Sequence, residues 1–265
     1  MTKQIPNIVT LLNLFFGCIA IVFIVQTNNF TYYQTVDGNL RFAGIDSIPE
    51  AWWYGSLFIA LAAVVDFFDG FVARLLGASS EMGKQLDSLA DVVSFGVAPS
   101  MILYQMLRMS YMQQANGATI DILLLTPAFI LACAGAYRLA KFNISTDQTK
   151  YFTGVPIPAV GLVVAAFPVI LYKNILGLES LLLNKFLLYG IILLLSWLMV
   201  CKYKMLSLKI SKADIKTQMP LLILGVIGVV GAFFLQALIA PIVFVGYVVI
   251  SLLNQKKMNN VQSSN

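Results

Sequence analysis

Long apolar runs, broken by short polar links, repeat along the whole chain. Each run approaches the ~20 residues that an α-helix needs to cross the hydrocarbon core of a bilayer. Eight such segments are read: Pro6 to Val25, Ala51 to Leu76, Leu86 to Met106, Ile120 to Ala140, Val155 to Tyr172, Leu181 to Val200, Met219 to Gln236 and Ala237 to Leu253. The last two are short and nearly contiguous. The pattern predicts an all-α, polytopic membrane helix bundle of about eight transmembrane helices, forming a single integral membrane domain over residues 1–265. The first run resembles a signal peptide in having Lys3 ahead of it. FIVQTNN follows it, with no small-residue cleavage site, so a retained helix is expected.

Composition agrees with a chain that lives in lipid. Hydrophobic residues make up 59% and charged residues 11%, against roughly 25% charged in a soluble domain. The net charge is +5. Basic excess points to nucleic acid only where a loop is both long and rich in Arg and aromatics. No such loop is present, so nucleic acid is not an expected partner. The basic residues lie in short links, as the positive-inside rule requires. In the eight-helix arrangement, thirteen of the seventeen Lys and Arg fall on the side of both termini. Both termini are therefore expected in the cytoplasm, and the polar segment between the first two helices is expected outside.

Two absences narrow the chemistry. There is no histidine, which excludes Ser-His-Asp triads, phosphohistidine intermediates and HExxH zinc sites. The three cysteines, Cys18, Cys133 and Cys201, sit in separate apolar runs with no paired spacing, which fits small buried hydrophobes better than disulfides or zinc. Any reaction must use carboxylates, basic side chains or hydroxyls.

The carboxylates are concentrated. The stretch DFFDGFVARLLGASSEMGKQLDSLAD holds Asp66 and Asp69, three apart at the end of the second helix, and Asp87 and Asp91, four apart at the start of the third. These spacings put each pair on one helix face, and the short link LLGASSEMG folds the helices into an antiparallel hairpin. Two readings compete. Aspartates at helix ends often simply face water. Alternatively, four converging carboxylates at a membrane edge are costly unless neutralised, and Mg²⁺ or Mn²⁺ with a phosphate substrate would neutralise them. Asp66 and Asp69 lie inside a helix that continues as GFVARLL, which favours the second reading. Gly70 and Ala73 would let a ligand approach the backbone, although small residues also mark helix packing in membranes. Gly83 could serve either purpose. Arg74 offers a planar fork for phosphate.

Asp66, Asp69, Gly70, Ala73, Arg74, Gly83, Asp87 and Asp91 together fit D-x2-D-G-x2-A-R-x8-G-x3-D-x3-D. This pattern resembles the signature of the CDP-alcohol phosphatidyltransferase family. The resemblance implies an integral membrane enzyme that transfers a phosphatidyl group from CDP-diacylglycerol to an alcohol and releases CMP. It implies two divalent cations, Mg²⁺ or Mn²⁺, held by the four aspartates, with Asp91 as general base. It further implies a catalytic core over about residues 1–200, an extra helix pair over about 219–253, an active site at the cytoplasmic face, and a homodimer. CDP-diacylglycerol would bind at Gly70, Ala73, Arg74 and Gly83. PNIVTLLN resembles the family's first-helix start and adds Asn7 and Thr10 to the nucleotide site; plain helix capping is the alternative for both.

DSLADVVSFGVAPS, AYRLAKFN and FTGVPIPA are similar to segments of the family's phosphatidylserine synthase branch, which implies L-serine as the acceptor. Lys141 stands where that branch usually has a second arginine. Arg138 and Lys141 suit a serine carboxylate, and Asn143 suits the amino group. As an alternative, both cations are interfacial anchors. Glycerol 3-phosphate or an inositol phosphate as acceptor would call for more than one Arg near the site. An ion-coupled transporter would place its carboxylates near the bilayer midplane rather than at one end.

Overall fold

A first helix, α1 (Ile5–Val25), starts with Pro6 in its first turn, where the missing N–H costs nothing, and runs apolar to its end. A computed structural model describes residues 5–26, 29–36, 39–47, 50–77, 80–113, 120–144, 152–206 and 215–255. After α1 come β1 (Asn29–Val36) and β2 (Asn39–Ser47), an antiparallel pair. The segment expected as an outer polar link thus forms a hairpin, because its alternating TYYQT and LRFAG stretches favour a paired strand over a helix.

Helix α2 (Glu50–Leu75) leads through Gly77, at φ +57°, to Ser80. Ser80 caps α3 (Glu81–Asp91) by accepting a hydrogen bond from the Gly83 N–H at 3.0 Å. The cap starts the helix before Leu86, so Asp87 and Asp91 occupy its second and third turns rather than its start. A π-helical turn, Val92–Val97, follows directly, and α4 (Ala98–Met112) continues the same rod. Pro127 keeps the next entry in 3₁₀ turns until α5 (Ile130–Ile144). Strand β3 (Phe152–Thr153) then precedes α6 (Ile157–Tyr172). A short α7 (Glu179–Leu182), α8 (Lys185–Val200), β4 (Lys204–Met205), α9 (Ile215–Leu235) and α10 (Ile239–Leu253) complete the described chain.

Among the described residues, five spans are long and apolar enough to cross a membrane: Pro6–Val25, Trp52–Val72, Glu81–Met112, Ile122–Ile144 and Gln236–Leu253. Three more apolar helices are shorter. Of these, α6 and α8 have 16 residues each, roughly 24 Å at 1.5 Å per residue. Pro156 and Pro158 set the start of α6, and Asn184 caps α8 late.

Helix α6 sits centrally, packed on α2, α4 and α10. Its Ile157, Val160, Val164 and Ile170 meet Phe95, Ile102, Leu131, Leu188 and Ile192 in the main apolar cluster. Large apolar side chains such as Phe15, Phe67, Phe186 and Phe234 are exposed instead, as expected where the surrounding solvent is lipid rather than water.

Both ends of the bundle are tied by side chains. At one end the Gln105 amide donates to the Ile24 carbonyl (3.2 Å), and the Tyr189 hydroxyl donates to that of Leu124 (2.6 Å). At the other, β3 pairs with β4, and the Leu206 N–H reaches the Ser251 hydroxyl of α10 (3.3 Å). The aspartates lie at this second end.

Candidate active site

Three helices build the site. The last turns of α2 carry Asp66 and Asp69, α3 carries Asp87 and Asp91, and the first turns of α1 approach from the side. Oxygens of Asp66, Asp69 and Asp87 all lie within 4.8 Å of one another. Asp66 also adjoins Asp91, one turn deeper on α3. The four carboxylates expected to converge do come together, three of them within ligand-sharing distance of one another; α2 and α3 make little direct contact, and α1 packs against both.

Thr10 supports that set. Its hydroxyl lies 2.8 Å from Asp69 Oδ2 and 3.0 Å from the Pro6 carbonyl. The single hydroxyl hydrogen serves the carboxylate, the nearer and charged acceptor. Thr10 and Asp69 are both buried. Thr10 thus acts on Asp69 directly.

Beside the carboxylates opens a cavity of about 430 Å³, lined by Pro6, Asn7, Thr10, Asp69, Gly70, Ser80, Glu81, Gly83, Lys84 and Asp87. Asn7, Thr10, Gly70 and Gly83, each expected at the nucleotide, therefore share one wall system with two of the aspartates. A Cβ on Gly70 would meet open space, and the glycine lines the cavity. A Cβ on Gly83 would come within 2.9 Å of Asn7 Oδ1, so Gly83 admits the start of α1. The side chains of Ala73 and Arg74, also expected at this site, lie outside the described residues.

Arg138 and Lys141 line a second, smaller cavity of about 60 Å³ with Thr153, Met199 and Cys201. Arg138 Nε is buried with no hydrogen-bond partner, and its guanidinium lies within electrostatic reach of Asp91. Lys141 is exposed. The Asn143 amide nitrogen donates to the Ser88 hydroxyl at 2.8 Å, tying the end of α5 to the turn that carries Asp87.

Sequence reasoning missed Lys84, Ser80 and Glu81 as lining residues. The signal was available: positions 80, 84, 87 and 91 follow the three-and-four spacing of one helical stripe. It also missed Asn13, which extends the stripe of Asn7 and Thr10 by another three residues.

The family model for CDP-alcohol phosphatidyltransferase matches residues 3–253. The chain belongs to this family. Family membership favours the transferase over an ion-coupled transporter. Among curated relatives of this phosphatidyltransferase is a CDP-diacylglycerol–serine O-phosphatidyltransferase from Bacillus subtilis, 40% identical over 49% of this chain and 71% of the relative. A protein of the same description from Saccharomyces cerevisiae is 38% identical over 51% of this chain and 48% of its own length. An archaetidylserine synthase from Methanothermobacter thermautotrophicus is 32% identical over 62% of this chain and 57% of its own.

The residues present fit a divalent cation. The donors are all oxygens, the hard ligands that Mg²⁺ and Mn²⁺ take. Thr10 fixes one ligand from behind, as outer-shell partners of metal ligands commonly do. Three carboxylates this close stay charged together only beside such a counter-charge; without one, protonation relieves the repulsion.

Proposed function

We propose that the chain is a CDP-diacylglycerol–serine O-phosphatidyltransferase. The observation that carries this reading is the carboxylate set of Asp66, Asp69 and Asp87, opening on a cavity on one side and adjoining Asp91 on the other, in a member of this family. The names of the relatives support serine as acceptor.

Asp66, Asp69, Asp87 and Asp91 would hold two cations, Mg²⁺ or Mn²⁺. Bound there, the cations supply positive charge to the diphosphate and to the departing CMP. CDP-diacylglycerol occupies the larger cavity, with Asn7, Gly70, Ala73 and Gly83 against it, Arg74 on a phosphate, and Thr10 acting through Asp69. Arg138 and Lys141 take the serine carboxylate. Asn143, its nitrogen engaged by Ser88, offers its oxygen to the ammonium. Asp91 removes the proton of the serine hydroxyl as that oxygen bonds to the β-phosphorus. The bond from the β-phosphorus to the bridging oxygen breaks, and CMP leaves with both electrons.

The membrane arrangement belongs to the same proposal: eight helices crossing the bilayer, with both termini and the active site cytoplasmic. The basic bias of the links supports this. So does the tie between Leu206 and Ser251, which puts the end of α10 at the end of the bundle holding the aspartates.

The test is purified protein with labelled CDP-diacylglycerol and a panel of acceptors: L-serine, glycerol 3-phosphate and an inositol phosphate. Phosphatidylserine and CMP should form with serine alone. Activity should vanish in EDTA and return with Mg²⁺ or Mn²⁺. Product from another acceptor but not from serine would overturn the choice of acceptor, and full activity in metal-free buffer the metal assignment.

A further inference from the structure

Asn13 is fully buried in α1, and neither atom of its carboxamide has a hydrogen-bond partner. It adjoins Asp91, which is itself buried and whose Oδ1 is likewise unpartnered. Buried polar atoms almost always find partners, because leaving them unpaired is costly. A mid-helix asparagine in an apolar span, neighbouring a buried carboxylate and with both carboxamide atoms unpartnered, is not explained by packing.

The backbone around it is held closely. The Ser94 hydroxyl, three residues beyond Asp91, donates to the Asn13 carbonyl at 3.1 Å. A Cβ on Gly17 would run into Ser94, so α1 lies directly against the start of the π-helical turn. The same contact that fixes the Asn13 backbone therefore fixes the rod carrying Asp91. The carboxamide is delivered to that carboxyl group by two helices with little freedom to part.

We propose that Asn13 is the positioning residue for Asp91: its carboxamide sets the rotation of the carboxyl group so that one oxygen faces the acceptor hydroxyl. This rests on the phosphatidyl-transfer reading above. Asn13 donates through Nδ2 to one oxygen of Asp91 and leaves the other for the proton of the incoming alcohol. The role is confined to the step in which that proton moves. It should appear in kcat and not in substrate binding.

The test uses the full-length protein in detergent or vesicles, with Asn13→Leu, Asn13→Ser, Asp91→Asn and the double variant Asn13→Leu/Asp91→Asn. Leu keeps the branched four-atom outline of Asn, at somewhat greater volume, and removes the unpaired polar atoms, so the melting temperature shows whether folding is kept; Ser retains a donor. Expected for Asn13→Leu is a fall in kcat of roughly ten- to a hundredfold, the range seen when a partner that orients a functional ligand is lost. The serine KM, the CDP-diacylglycerol Kd by calorimetry, and the melting temperature should stay near wild type. Asn13→Ser should keep more of kcat than Asn13→Leu. The double variant should be no slower than Asp91→Asn alone, since a residue acting through another adds nothing once that one is gone. Unchanged kcat in Asn13→Leu, a raised serine KM, lost CDP-diacylglycerol binding, or a multiplicative fall in the double variant would each overturn the proposal. Wild-type protein that transfers to no alcohol in the acceptor panel would instead overturn the parent reading.

Discussion

Thr10→Val separates two roles for one hydroxyl. The sequence placed Thr10 at the nucleotide; the structure places its O–H 2.8 Å from Asp69 Oδ2, in a site where both residues are buried. Valine keeps the branched shape and deletes only the donor. A hydrogen bond to a charged group contributes about 1.5–3 kcal/mol, roughly ten- to a hundredfold in an equilibrium constant at 1.4 kcal/mol per decade. Because Asp69 belongs to the proposed ligand set, that loss should fall on metal affinity. The Mg²⁺ or Mn²⁺ concentration giving half-maximal activity should rise by about that factor, and the CDP-diacylglycerol KM at saturating metal should stay within about twofold. Thr10→Ser, which keeps the donor, should lie close to wild type. The assay is a metal titration of initial rate at fixed saturating substrates, paired with calorimetric titration of metal into the protein alone. An unchanged metal midpoint with a raised CDP-diacylglycerol KM would refute the reasoning and return Thr10 to the nucleotide.

Asp91→Asn keeps the size of the side chain and removes the proposed base, so kcat should fall by about 10²–10⁴-fold, with CDP-diacylglycerol binding by calorimetry largely kept. Arg138→Ala should raise the serine KM by roughly ten- to a hundredfold, the loss of one charged contact, read from steady-state rates with serine varied; an unchanged KM would make Arg138 a membrane anchor. With Cys18, Cys133 and Cys201 replaced, a single cysteine at Ser79 should react with an impermeant thiol reagent only from the cytoplasm, and one at Asn39 only from outside. Labelling of both from the same face would overturn the orientation.

The parts of this protein that the sequence reveals are those governed by local rules. The three-and-four spacing of the aspartates, with a link too short for anything but a hairpin, is enough to bring Asp66, Asp69 and Asp87 together. The apolar runs are enough to locate the five long spans among the described residues, since a bilayer rewards little else, though not the polar start of the third at Glu81. What escapes is set by partners distant in the chain. Whether Thr10 faces the nucleotide or Asp69 depends on how closely α1 packs against α2, and a residue 59 positions away decides it. Asn143 reads as a free amide until Ser88, from another helix, takes its nitrogen. The π-helical turn leaves no composition signal, because VVSFGV suits an α-helix equally well; α1, α5 and α6, distant in the chain, pack against it.

That turn makes the rod from Glu81 to Met112 sensitive to counting. An α-helix advances about 100° per residue, and a π-helical turn holds one residue more than its α-helical equivalent. Were Val92–Val97 to relax into continuous α-helix with no residue removed, the extra residue would put the two halves out of phase by about 100°. The half from Ala98 onward is buried on nearly every side, with Ala98, Ile102, Leu103, Met106 and Leu107 all fully covered, so it cannot turn. The half from Glu81 to Asp91 has only Ala90 and Asp91 buried and would turn instead. Asp87 and Asp91 would swing away from Asp66 and Asp69 with no change in the residues of the signature. In this stretch the count of residues matters as well as their chemistry: a further inserted residue should be tolerated less well than a single deletion, which the turn absorbs by closing into α-helix in phase.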